Sequence, residues 1–171
     1  MPHLNFEFKV RTNRLHFLEK KFLELNPLFT GEDRQTDTYF NVTKGRLKLR
    51  EGNIENALIY YERQDVADAK RSDVILYQHQ PDSSLKDILI KIHGIKVIVS
   101  KVRRIYFIGN VKFHFDTVEG LGAFIEVEAI DATGENDIDK LIKQCREYAN
   151  FFEIEEQDYI SLSYSDLILK L

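Results

Sequence analysis

The sequence predicts an α+β domain built on an antiparallel sheet, and three observations carry that prediction. Short stretches in which apolar and polar side chains alternate residue by residue recur about eight times. Several are joined by connections of hairpin length that contain Gly or Asn. The helical patterns fall between or after these stretches, without the regular strand and helix alternation of a βαβ fold. With 171 residues, 43% hydrophobic and 12% aromatic, the chain has enough apolar material for one core and too much for disorder, so a single domain over residues 1–171 is expected.

Asn5 to Val10 alternates strictly, with Phe6, Phe8 and Val10 on one face and Asn5, Glu7 and Lys9 on the other, as a half-buried strand does. Thr12 and Asn13 then offer capping oxygens to a helix with Leu15, Leu18, Phe22 and Leu25 on one stripe, ending near Asn26-Pro27. Thr36 to Val42, Gly45 to Glu51 and Ala57 to Arg63 read as successive antiparallel strands, and Ser72 to Tyr77 as a fifth. Asp82 or Ser83 caps a short helix with Leu85, Ile88, Leu89 and Ile92 inward, closed by Gly94. Val97 to Ile108 and Val111 to Thr117 form a long hairpin about Gly109-Asn110, and Gly120-Leu121-Gly122 turns the chain into Ala123 to Ile130. Asn136 or Asp137 opens a helix with Leu141, Cys145, Ala149 and Phe152 on one side, and a short helix follows near Ser163 to Leu171.

The 28 acids and 24 bases leave a net charge of −4, so general attraction to nucleic acid is not expected. No apolar run approaches the roughly 20 residues needed to cross a bilayer, so no membrane partner is expected either. The single cysteine, Cys145, and an N-terminus without a signal-peptide pattern point to a reducing, cytoplasmic setting. Cys145 lies on an apolar helical stripe and reads as a buried thiol. The histidines lack metal-ligand spacing, and His114, in phase with Asp116, reads as a hydrogen-bonded structural residue. The chain has neither a P-loop nor a dinucleotide fingerprint.

The charges, by contrast, are sorted by strand face. Arg46, Lys48 and Arg50 share a face, as do Lys101 and Arg103, then Lys112, His114 and Asp116, and finally Glu126 and Glu128. A merely solvated face should mix signs, because like charges on neighbouring ladders destabilise a sheet. Segregated bases and acids around a common space suit a polyanion held by Lys and Arg, with a divalent cation bridging it to carboxylates. If the charged side lines the inside of a closed sheet and helices cover the apolar outside, the result is a hydrated tunnel. If the apolar side lies inside, the charges only decorate the surface.

Glu7-Phe8-Lys9, Asp37-Thr38-Tyr39-Phe40, Gly45-Arg46-Leu47-Lys48-Leu49-Arg50, Tyr61-Glu62-Arg63, Lys101-Val102-Arg103, Asp116 and the run Gly120 to Glu128 together resemble the CYTH superfamily, the triphosphate tunnel metalloenzymes. Their order and spacing are most similar to the class IV adenylyl cyclase branch, over nearly the whole chain. The resemblance implies an eight-stranded antiparallel β-barrel with flanking helices, forming a tunnel for a triphosphate and Mg²⁺ or Mn²⁺. Lys9, Lys48, Arg50, Arg63, Lys101 and Arg103 then correspond to phosphate ligands, and Glu7, Asp116, Glu126 and Glu128 to the metal side. Glu7, Lys9, Lys101 and Arg103 correspond to the residues closest to the chemistry. Where the family's first strand reads Glu-x-Glu-x-Lys, Asn5 stands in the first acidic position. An amide oxygen can ligate a hard cation, but it removes one negative charge and weakens a second metal more than the first.

The implied substrate is a nucleoside triphosphate or another small triphosphate, and a homodimer stays open. If the ribose 3′-hydroxyl meets the α-phosphorus in line, ATP gives cyclic AMP and pyrophosphate; if water meets the γ-phosphorus, the outcome is hydrolysis. A third alternative is a module that holds a nucleotide or polyphosphate without turnover.

Overall fold

The alternation in β1 (Pro2–Arg11) sends Phe8 and Val10 to one side of the sheet and Asn5, Glu7 and Lys9 to the other, and the strands that follow keep this division. They are β2 (Leu28–Phe40), β3 (Arg46–Glu51), β4 (Ala57–Arg63), β5 (Lys70–Gln78), β6 (Ile95–Ile108), β7 (Val111–Val118) and β8 (Gly122–Ile130). In the computed structural model, which describes residues 2–63, 68–135 and 137–171, they close a barrel in the order β1-β5-β4-β3-β2-β6-β7-β8. Every neighbouring pair is antiparallel, and β1 against β8 completes the ring, from Asn5 opposite Ile130 to Arg11 opposite Phe124.

The apolar side faces outward, beneath helices. α1 (Leu15–Phe22) and α3 (Ile138–Phe151) cover β1, β7 and β8, burying Phe8, Val10, Phe113, Phe115, Ile125 and Val127. Phe22 and Phe152 sit among these rings, with Phe22 centred 4.5 Å from Phe113 and 5.3 Å from Phe115. Burying each such ring contributes about 1.5–3 kcal/mol. That stabilisation lies in the sheet-on-helix layer, which leaves the barrel's interior free to be polar. Cys145, on the inner stripe of α3, donates to the Phe6 carbonyl at 3.2 Å, and burial pushes its thiol up to about 12.

Three details differ from the sequence reading. β2 begins at Leu28 rather than near Thr36, because it pairs with β6 along its full length, from Leu28 opposite Phe107 to Phe40 opposite Ile95. A register shift at Phe29/Gly31, where Gly31 has φ 143°, absorbs the irregularity that hides the strand in the sequence. α1 has no side-chain cap of its own; the Thr12 hydroxyl accepts from the Arg14 N–H just before it. α2 (Ser83–His93), capped by Asp82, packs Leu85, Leu89 and Ile90 onto Phe40, Leu47 and Leu49, so Ile88 and Ile92 point to solvent at 54% and 68% exposure. α3 is capped by Asp137, while Asn136, its alternative, lies outside the described residues.

Among the described residues, no helix is long and apolar enough to cross a membrane. The short α4 (Tyr164–Leu169), capped by Ser163, follows a segment in which Ile160 N–H bonds the Lys9 carbonyl, bringing the end of the chain to one mouth of the barrel.

Candidate functional site in the barrel

The lumen of the barrel holds a cavity of about 110 Å³, open toward solvent. Six basic side chains line it, Lys9, Lys48, Arg50, Lys101, Arg103 and Lys112, together with the acids Glu7, Glu55, Glu126 and Glu128. They converge because residues directly opposite each other on antiparallel strands share a face: Lys9 meets Glu126, Glu7 meets Glu128, Glu128 meets Lys112, and Glu126 meets His114. Arg63 ends β4 opposite Ser72, and its side chain lies outside the described residues.

Two further carboxylates sit beneath the basic row. Asp37 on β2 accepts from Lys48 at 3.0 Å, from Lys101 at 2.8 Å, and from Arg50 through two bonds of 2.9 Å. Burial pushes its carboxyl up, but Arg50, Lys101 and Lys48 outweigh burial and hold it well below the usual carboxylate range. Burial in turn pushes the Lys101 ammonium down to about 7 despite Asp37.

Asp116 does the same for Arg103, with bonds of 2.7 and 2.6 Å, and accepts from the Tyr164 hydroxyl at 2.7 Å. Asp116 is fully buried beneath the arginine, whose Nη2 also donates to Glu126 at 3.1 Å, and the side chains whose ligand atoms lie together are those of His114, Glu126 and Glu128.

His114, Glu126 and Glu128 each offer a ligand atom, all within 4.8 Å of one another. The His114 Nδ1 lies 3.2 Å from Glu126, while its buried Nε2 and the buried Asn5 Oδ1 have no hydrogen-bond partner among the described residues. Burial and the neighbouring Arg103 push the imidazole down to about 3, so it is neutral. Burial and the adjacent Glu7 push the Glu128 carboxyl up to about 7. Crowded carboxylates beside a neutral imidazole and an orphaned amide oxygen fit a hard divalent cation, which would relieve the repulsion and take the free oxygens. Glu7 lines the cavity next to this group.

One mouth is closed by the C-terminal segment. Lys70 Nζ donates to the Ser161 carbonyl at 2.6 Å, Lys9 Nζ donates to the Leu162 carbonyl at 3.3 Å, and Lys9 also stands 3.9 Å over the Tyr164 ring. The wall formed by β4 and β5 is different in character, presenting Ile59, Tyr61, Val74 and Leu76 to the cavity.

Asp37, Glu55, His114 and Tyr164 carried no site role in the sequence reading. Asp37 was visible as an in-phase neighbour of Tyr39 inside a motif, and His114 as an in-phase neighbour of Asp116. Glu55 lies in a loop and Tyr164 opens the short α4, where no strand periodicity points at a lumen.

A closed antiparallel barrel with bases and acids facing one lumen defines a polyanion-holding tunnel. The CYTH domain pattern matches residues 3–164, and the chain belongs to the CYTH family. A Methanocaldococcus jannaschii protein named "Putative adenylate cyclase" is 28% identical over 154 residues, covering 88% of this chain and 83% of the relative. Among solved structures, the PH1012 protein of Pyrococcus horikoshii superposes with a TM-score of 0.81 at 23% identity, over 95% of this chain and 98% of that one. A Hippeastrum protein described with "a dominant" triphosphatase activity has the same fold, with a TM-score of 0.62 at 13% identity over 98% of this chain and 94% of the other.

Proposed function

We propose that this protein is a divalent-metal-dependent enzyme that binds a nucleoside triphosphate in the barrel and, like class IV adenylyl cyclases, converts ATP to cyclic AMP and pyrophosphate. The observation that carries this reading is the single lumen in which six bases face the His114, Glu126 and Glu128 group. Six bases and four acids line the cavity, and Asp37 and Asp116, buried behind the lining, already pair with Lys48, Arg50, Lys101 and Arg103. A strongly negative triphosphate is therefore not accepted on base charge alone, which favours its entry together with Mg²⁺ or Mn²⁺. The apolar strip Ile59, Tyr61, Val74 and Leu76 suits an organic group attached to the phosphates.

In this reading Lys9, Lys48, Arg50, Lys101 and Arg103 grip the phosphate oxygens and spread their charge, while Asp37 and Asp116 hold the arginine forks at the right angle. Glu126 and Glu128, with Glu7 beside them, hold the metal. Bound there, the metal supplies a Lewis acid for charge developing on the phosphoryl oxygens. Lys101 and Arg103, on one strand, stabilise the departing pyrophosphate. The bond from the ribose 3′-oxygen to the α-phosphorus forms as the α–β bridge breaks, and the hydroxyl proton passes to a carboxylate of the lumen.

Hydrolysis is the second reading, supported by the activity described for the Hippeastrum protein. Incubation with ATP, tripolyphosphate and thiamine triphosphate in Mg²⁺ or Mn²⁺ separates the two. Cyclic AMP with pyrophosphate supports the cyclase. Orthophosphate with no cyclic product supports the triphosphatase, and tight binding without any product contradicts both.

A further inference from the structure

The mouth opposite the C-terminal segment carries a carboxylate in an unexpected place. Glu55, from the loop between β3 and β4, reaches into the lumen and bridges Arg50 on β3, at 3.5 Å, to Lys112 on β7, at 3.1 Å from both of its oxygens. Burial works to push this carboxyl up, but Lys112 and Arg50 outweigh it and hold the group firmly ionised.

The loop is built to keep it there. Asp33, fully buried on β2, accepts from the Ile54 and Glu55 N–H groups at 2.9 Å each and from the Gln35 amide at 2.8 Å. Asn56 bonds both the N–H and the carbonyl of Gly52. A Cβ at Gly52 would stand 2.6 Å from the Asp33 carboxylate, so only glycine lets the loop close over this anchor.

We propose that Glu55 is a specificity-determining residue that ends the phosphate row at this mouth, so that the tunnel selects a chain of three phosphates over longer ones. The inference rests on the triphosphate reading of the lumen. An oxyanion bridging two cations of opposite walls already occupies the position a further phosphate would take. That phosphate must displace a side chain whose backbone is pinned by two hydrogen bonds, or else sit against its charge. An uncharged group meets no such opposition, because Ala57 and Leu76 border the same mouth.

The test is calorimetric binding of inorganic tripolyphosphate and tetrapolyphosphate, each with Mn²⁺, to the parent protein, to Glu55→Gln and to Asp33→Asn, with thermal melting to verify folding. The parent should prefer tripolyphosphate, and Glu55→Gln should move the ratio of affinities toward tetrapolyphosphate by about tenfold, the effect of one modest charge interaction. Asp33→Asn, which keeps the carboxylate of Glu55 but loosens its anchor, should move the ratio in the same direction. An unchanged ratio in a folded Glu55→Gln protein, or an equal gain for both chain lengths, overturns the role of Glu55 alone. A parent that binds neither polyphosphate overturns the triphosphate reading as well.

Discussion

Lys101 stands at 5% exposure among two arginines and a lysine, with its Nζ 2.8 Å from Asp37, and burial pushes its ammonium from the ordinary 10.5 down to about 7. Because the folded value is depressed, this group's contribution to stability is present above about 10.5 and is lost as pH falls through about 7. Anion binding has the opposite sign, since a phosphate beside Lys101 favours its charged form. Above pH 7, binding a triphosphate should therefore draw a proton onto Lys101, and affinity should fall as pH rises. Calorimetry in buffers of different ionisation heat reads that uptake. Lys101→Arg, which stays charged, should abolish it, and an uptake of equal size in the variant contradicts the assignment. Asp37→Asn leaves Lys48, Arg50 and Lys101 buried without their shared counter-ion. It should cost about 3–5 kcal/mol in denaturant unfolding and weaken triphosphate binding, whereas a change below about 1 kcal/mol would show that the cluster does not depend on it. That bases such as Lys48 and Arg103 share a strand face with other bases was legible in the sequence, because strand alternation is strictly local. Their partners Asp37 and Asp116 were not assigned to them, because which carboxylate meets which base is decided by register between strands far apart in the chain.

Among the elements, the helices do the apolar work. Phe152 has no exposure, lying between α3 and the β7 face against Phe22, Phe113 and Phe115. Phe152→Ala should lower unfolding free energy by about 3–5 kcal/mol, while the lumen charges stay in place. Ile88→Lys on α2 should change stability by less than about 0.5 kcal/mol, because its side chain faces solvent. A loss of several kcal/mol there would return Ile88 to the inward stripe that periodicity assigned to it. α2 was misread on this point because apolar residues occur around more than one face, and contact with Phe40 and Leu49 selects Leu85 and Leu89 from among them. The length of β2 was hidden for a different reason. Leu28 to Gln35 contains a glycine and several polar residues and gains its strand character from pairing with β6, a long-range contact that no local window contains.

For the whole molecule, the decisive property is which side of the sheet faces in. Both choices were open in the alternation pattern, since a strand with one charged and one apolar face fits either. The amphipathic stripes of α1 and α3 resolve it: they need an apolar surface to cover, and the outer face of β1, β7 and β8 supplies it. With the outside dry, the charged face is left to a lumen whose bases are in large part already paired with acids, so a polyanion is expected to enter together with cations. The most direct measurement is a crystal soaked with a non-hydrolysable ATP analogue and Mn²⁺, with the metal located by its anomalous signal. The account predicts manganese at Glu126 and Glu128, with the phosphate chain lying among Lys9, Lys48, Arg50, Lys101 and Arg103. Manganese and nucleotide bound outside the barrel, with the lumen holding only solvent, would contradict it.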